Sequence, residues 1–293
     1  MMAFLAATLL AIAQDSLVEK INLRIAEEPG AQVGLAYIDL ANGDTLFLNA
    51  DSSFHAASTM KVPVMIELFR AAAARSFAMD QRLMLVNQFA SIVDGSLYSL
   101  DSTSDSDTTL YHRIGARVAI DTLLRLMITR SSNFATNTLI ALVGAENVTR
   151  TMRSLGAQRI QVLRGVEDGK AFDKGLNNTT TARDLAIILR SIEEGKAASP
   201  AATRQMLGIL LAQEFNEKIP AGLPAGTRLA HKTGEITAVS HDAAIVYLPG
   251  RRPYVLVVLT RGIADGNHSS KLIADLSSLV YGHSILKSGP IPR

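Results

Sequence analysis

The stretch QVGLAYIDLANGDTLFLNA (residues 32–50) reads as two strands, "QVGLAYIDL" and "TLFLNA", alternating about Asn42-Gly43-Asp44. Asn-Gly accepts the positive φ angles of a tight primed turn, so the spacing predicts a hairpin. The same pattern returns only near the C-terminus, in "AHKTGEI" (230–236), "DAAIVYLPG" (242–250) and "PYVLVVLTRG" (253–262), the last two joined at Pro249-Gly250-Arg251-Arg252. From residue 58 to 224 the spacing is helical instead, as in "VAIDTLLRLMITR", "NFATNTLIALVG", "AENVTRTMRSLG", "TARDLAIILRSIEEG" and "PAATRQMLGILLAQEF". Helical spacing also marks "DSLVEKINLRIAEEPG" near the start and "SSKLIADLSSLVYG" near the end.

Two strands early and three late form one sheet if the helical segment is a large insertion. The expected fold is therefore α+β: an antiparallel five-stranded sheet with flanking helices, plus an inserted all-helical domain. The boundaries place the sheet domain at 14–57 and 225–293 and the helical domain at 58–224, with a site in the crevice between them.

Composition narrows the function. The 293 residues are 48% hydrophobic and 19% charged, as in a well-packed globular protein. The net charge of +2 arises from 29 basic and 27 acidic residues scattered along the chain, with no basic block of the kind that tracks phosphates, so nucleic acid is not an expected partner. With no cysteine there is neither a disulfide framework nor a thiolate ligand or nucleophile. The leader "MMAFLAATLLAIAQ" has the short apolar run and small-x-small ending (Ala11-Ile12-Ala13) of a secretory signal over residues 1–13, the other reading being an apolar N-terminal helix. Secretion or a periplasmic location follows from the first reading. No run is long enough for a comfortable membrane span.

Three short motifs carry the chemistry. Ser58 and Lys61, in "STMK", stand at the start of a long helical run, with Pro63 early enough to be tolerated. A serine there is ordinarily a cap. In the chemical reading Lys61, one turn on, loses its proton through desolvation and takes the serine's, while the helix start favours an oxyanion. "RSSNFATN" puts Ser131-Ser132-Asn133 at a second helix start, and "HKTGE" puts Lys232-Thr233-Gly234 on a strand, where glycine permits close backbone approach. Together they match the S-x-x-K, S-D-N and K-T-G set of class A β-lactamases and penicillin-binding proteins.

Over essentially its whole mature length the chain resembles the penicillin-recognising serine hydrolases, most closely the class A β-lactamase branch. The resemblance implies acylation of Ser58 by a β-lactam or an acyl-D-Ala-D-Ala peptide. It gives Lys61 as the proton acceptor, Ser131 as a relay to the leaving nitrogen and Asn133 as partner of the substrate amide. Lys232 and Thr233 would bind the substrate carboxylate, and the backbone N–H groups of Ser58 and Glu235, the latter just after Gly234, would form the oxyanion hole. No cofactor or metal is implied; His55, His112 and His231 lack the spacing of a zinc site. A monomer is the default state.

The chain departs from the family pattern in three places. Position 132 is Ser instead of Asp, removing a buried carboxylate that orders this loop. The segment "RGVEDGKAFDKGLNNTTTARDL" (164–185) lacks the E-x-x-L-N stretch whose Glu activates the deacylating water; Glu167 is the candidate in its place, against the reading of a solvent-facing acid. Where many members carry an arginine that helps bind the carboxylate, the count reaches His241, either a pH-dependent ligand or a hydrogen-bonded strand histidine, with Arg261 as the other candidate cation. The acidic stretch "DGSLYSLDSTSDSDTTL" (94–110) lacks the Gly and distal Glu of a calcium loop and reads as a solvated surface loop. Three functions share the motif set: a β-lactamase, a D,D-peptidase or esterase that turns over β-lactams slowly, and a non-catalytic penicillin-binding sensor.

Overall fold

The computed structural model describes residues 16–287; the expected signal segment, residues 1–13, lies outside the described residues. The strands are β1 (Gln32–Asp39), β2 (Thr45–Leu48), β3 (Leu229–Ile236), β4 (Val239–Val246) and β5 (Tyr254–Arg261). The helices are α1 (16–26), α2 (Lys61–Ala73), α3 (Ile120–Thr129), α4 (Asn133–Val143), α5 (Ala145–Ser154), α6 (Gly169–Asp173), α7 (Ala182–Glu193), α8 (Pro200–Leu210) and α9 (Gly266–Lys287).

The strands form one antiparallel sheet in the order β2-β1-β5-β4-β3. The pairing of β1 with β5, from Gln32 opposite Arg261 to Asp39 opposite Tyr254, joins the two ends of the chain. Both central strands are buried along nearly their whole length because the sheet is covered on both faces. Successive side chains point to opposite faces. Leu35, Tyr37, Leu256 and Val258 share one core with Leu17 and Ile21 of α1 and Leu272 and Leu276 of α9. Ala36, Ile38, Val255 and Val257 share the other with α7 and the buried faces of α2, α3 and α4. The sheet's inner face and the inserted helices thus form one continuous core.

The first hairpin reverses over a longer loop than the Asn-Gly reading predicts. Ile38 pairs with Thr45, Asp39 N donates to Asp44 O at 2.8 Å and Gly43 N donates to Asp39 O at 2.9 Å. The buried Asp39 carboxylate is the reason. It accepts the Ala41 N–H at 2.9 Å and pairs with the Arg251 guanidinium, which closes the loop ahead of Asn42-Gly43.

The insertion is not helical throughout. Short ladders pair Arg82–Met84 with Arg117–Ala119 and Phe89–Ala90 with Leu97–Tyr98, and a third joins Phe54–His55 to Thr179–Thr180. The stretches of the first two ladders, mostly exposed or half-buried, carry no helical apolar stripe and pair at loop necks instead, whereas Phe54 and Thr180 of the third are buried. Among the described residues no helix is long and apolar enough to cross a membrane.

Candidate active site

A 3-10 turn over Ala57–Met60 runs directly into α2, and no side chain caps it. The Ser58 hydroxyl is therefore free of the capping role that a serine at a helix start usually takes. Ser58 lines a cavity of about 350 Å³ together with Asn133, Val166, Glu167 and Glu235. The edge strand β3 passes close by. A Cβ placed on Gly234 would lie 3.0 Å from Ser58 N and 3.1 Å from Thr59 N, so glycine alone allows this approach and sets Glu235 on the cavity wall beside the start of the turn.

Lys61 is completely buried. Its Nζ donates to Ser131 O at 2.6 Å, Asn133 Oδ1 at 2.9 Å and Ser131 Oγ at 3.1 Å. Those three bonds use every proton of an ammonium, and none goes to Ser58. Burial lowers the Lys61 pKa to about 7, against the opposing pull of the Asp105 and Glu167 carboxylates. A lone pair exposed by losing one proton is what the neighbouring hydroxyl needs. Lys232, also fully buried, donates to Ser131 Oγ at 3.1 Å and to Thr233 O at 2.9 Å. Its pKa falls well below the ordinary value through burial and then through repulsion from Lys61. Ser131, with φ 56, is held in the left-handed region with its hydroxyl between the two amines.

The acidic segment after residue 100 is not the solvated loop its composition suggests. Asp105 and Asp107 are buried, and Asp105 meets the start of α4. Both its oxygens accept from Asn133 N at 2.9 Å, and Oδ2 also accepts from Phe134 N at 2.9 Å and from the Tyr111 hydroxyl at 3.0 Å. Ser132 adds the N-cap, its Oγ accepting from Ala135 N at 3.3 Å. Despite the departure at position 132 the loop therefore has both a cap and a carboxylate: one comes from Ser132, the other from Asp105.

The loop that carries Glu167 is closed by mutual backbone bonds between Gln161 and Thr179, at 2.8 and 2.9 Å. Glu167 has φ 60, an uncommon conformation for a residue with a side chain, and its Oε1 lies 3.4 Å from Asn133 Nδ2. It stands in the same cavity as Ser58. Asp168, which is buried, caps α6 and accepts from Ser91 Oγ at 2.9 Å and Ile92 N at 3.0 Å.

His241 is not a substrate ligand. The ring is fully buried, with Nε2 2.8 Å from His55 O, Thr260 N donating to Nδ1 at 3.2 Å and Phe54 packed edge-on. Carbonyl oxygens face both ring nitrogens, since Nδ1 also lies 2.6 Å from Ser240 O. Burial lowers its pKa to about 4 although the His55 and Ser240 carbonyls pull upward. Arg261 is committed elsewhere, to Gln32 Oε1 at 2.8 Å, Ser53 O at 3.0 Å and the face of Phe54. The cation beside the third motif is Lys218, which nothing local in "FNEKIPAG" distinguishes. It is buried, donates to Glu235 Oε2 at 2.8 Å and contributes to the lowered pKa of Lys232. Asp242 holds its segment by accepting from Ile219 N at 3.1 Å. Among the described residues no cluster of His, Asp or Glu is arranged to hold a metal ion.

The profile of the Beta-lactamase enzyme family matches residues 16–284. A β-lactamase of Streptomyces lavendulae is 29% identical over 267 residues, spanning 87% of this chain and 83% of that protein. The structure of PBP-A superposes with a TM-score of 0.80 at 28% identity, covering 93% of this chain and 96% of the other. A mutant of PBP-A captured as its acyl-enzyme with penicillin G superposes equally well, at 29% identity over 93% and 97% of the two chains.

Proposed function

The chain belongs to the Beta-lactamase enzyme family, and from that premise we propose that it is a class A type serine hydrolase that opens β-lactam rings through an acyl-Ser58 intermediate. The observation that carries this reading is the Ser131 hydroxyl 3.1 Å from both the Lys61 and Lys232 amines, with Lys61 also donating at 2.9 Å to Asn133, which lines the cavity that holds Ser58.

In this reading Ser58 Oγ attacks the lactam carbonyl carbon and its proton passes to neutral Lys61. The Ser58 and Glu235 backbone N–H groups receive the oxyanion. As the ring C–N bond breaks, Ser131 Oγ gives its proton to the leaving nitrogen and is reprotonated from the lysine beside it. Lys232, Thr233 and Lys218 face the substrate carboxylate, and Asn133 the side-chain amide. In the second half-reaction, with Lys61 neutral again after reprotonating Ser131, Glu167 takes a proton from water as it attacks the ester, and that proton passes on to Ser58 Oγ as the ester C–O bond breaks, which restores the starting enzyme. The leader sequence supports export to the periplasm or medium, and the enzyme acts as a monomer.

The test is covalent labelling by a fluorescent penicillin, followed in time by intact-mass measurement. The expected result is an adduct on the wild type that disappears within seconds, none on Ser58→Ala, and consumption of a chromogenic cephalosporin. Absence of any adduct together with an unconsumed cephalosporin refutes acyl-Ser58 chemistry. An adduct lasting hours assigns the chain to the D,D-peptidase reading.

A further inference from the structure

We propose that Asp105 is a positioning residue for acylation: from a loop outside the three motifs it fixes the start of α4 and so holds Ser131 and Asn133 against Lys61. The inference rests on the acyl-Ser58 reading. The Asp105 carboxylate receives two consecutive backbone N–H groups, Asn133 and Phe134, all at 2.9 Å. Those are among the first N–H groups of a helix, which have no partner within it, and a carboxylate there also meets the positive end of the helix. Asn133 is itself one of the groups that Lys61 binds, at 2.9 Å, so Asp105 reaches the amine through two contacts and one intervening residue.

The loop is built to keep the carboxylate in place. Tyr111 donates its hydroxyl to Asp105 Oδ2, and its ring packs 5.1 Å from that of Phe134. Asp107 N donates to Asp105 Oδ1 at 3.2 Å, while the Asp107 carboxylate is occupied by Thr109 and lies 3.7 Å from Arg130 Nη1. Asp105 is only 8% exposed, so its charge is little screened. The charged groups that face Lys61 are Asp105 from this loop, Glu167 from the loop before α6 and Lys232 from β3. The two carboxylates hold the Lys61 proton on, and Lys232 opposes them.

Asp105→Asn keeps the shape and removes the charge, leaving one good acceptor where two oxygens served. Acylation by the fluorescent penicillin is measured over roughly pH 5 to 9, with thermal unfolding alongside. The expected result is acylation slowed roughly ten- to hundredfold by the loosened motif. The acid limb should move to lower pH by up to about one unit, because the lost negative charge no longer favours protonated Lys61. The double variant Asp105→Asn/Ser132→Asp, which returns a carboxylate to the same helix start from within the motif, should recover both rate and limb. Tyr111→Phe, which leaves the charge, should keep the wild-type limb.

A folded Asp105→Asn protein with wild-type rate and limb overturns the proposal. So does a double variant that gains neither. If Asp105→Asn alone does not fold, the double variant must fold and be labelled; its failure to do so also overturns it. Loss of the acyl-Ser58 reading is distinguishable, since the wild type would then give no adduct either.

Discussion

Asn137 holds both backbone polar groups of Val166: its Oδ1 accepts from Val166 N at 2.6 Å and its Nδ2 donates to Val166 O at 2.9 Å. The two segments touch so closely that a Cβ on Gly165 would fall 2.4 Å from Asn137 Oδ1. On the other side of Glu167, Asp168 is tied to Ser91, Ile92 and Ala171. Glu167 therefore hangs between two fixed neighbours, which sustain its φ of 60 at a cost of about 1 kcal/mol or more for a residue other than glycine. Strain kept by rigid surroundings is typical of a group whose direction matters.

If that direction serves the attacking water, Glu167→Gln should leave acylation within a few-fold of wild type and lengthen the adduct lifetime by roughly a hundredfold or more. Asn137→Ala should lengthen it too, and lower stability by about 1–3 kcal/mol through unpaired groups on Val166. Intact-mass decay curves and thermal melting read both effects. A Glu167→Gln adduct that decays at the wild-type rate removes this residue from deacylation.

In the proposed mechanism Lys61 sets the acid limb. With its pKa lowered to about 7, the amine is protonated below that value and cannot accept the Ser58 proton. The acylation rate should rise as pH increases through about 7 and level off above it. Single-turnover labelling across that range measures it, and a rate independent of pH there would contradict the assignment.

Gly234→Ala introduces a methyl that meets backbone, 3.0 Å from Ser58 N and 3.1 Å from Thr59 N, as well as the Ala57 side chain. The strand and the Ser58 turn must separate by a few tenths of an ångström. Acylation should fall about ten- to hundredfold because the Ser58 and Glu235 N–H groups proposed to receive the oxyanion both shift, while the fold persists. Wild-type labelling by a folded variant would show that this contact is not critical.

His241 should act on stability and not on substrate affinity. Its folded pKa of about 4 lies below the ordinary 6.5, so between those values the unfolded chain binds the extra proton and the folded one does not. Stability is complete above about pH 6.5 and is lost as pH falls toward 4, by up to about 3 kcal/mol. Urea unfolding of wild type and His241→Gln across this interval checks the sign: the variant should show the shallower dependence. Equal slopes would mean that His241 does not titrate differently on folding.

Much of this protein can be read from short windows of sequence. The alternation in 32–50 and in the three late stretches marked the five strands, and the periodic runs after residue 118 marked α3, α4, α5, α7 and α8. The motif residues Ser58, Lys61, Ser131, Asn133 and Lys232 were nameable because each sits at a helix start or on a strand with a recognisable neighbour. Asn137 was findable on the same grounds, one helical turn beyond Asn133 and on its face. Asp105, Lys218 and the burial of His241 were not. Their partners are Asn133, Glu235 and the carbonyl of His55, reached across 28, 17 and 186 positions of chain, and no local pattern encodes such a meeting.

The sequence by itself determined the five strands of the main sheet and most of the longer helices, and which residue types stand where a serine hydrolase needs them, because periodicity, turn chemistry and motif spacing involve only near neighbours. Only the tertiary structure decided how those residues are poised. The lowered pKa of Lys61, the neutrality of His241 and the bracing of α4 by Asp105 arise from desolvation and from charges that the folded chain brings together, and neither exists until the core has closed around them.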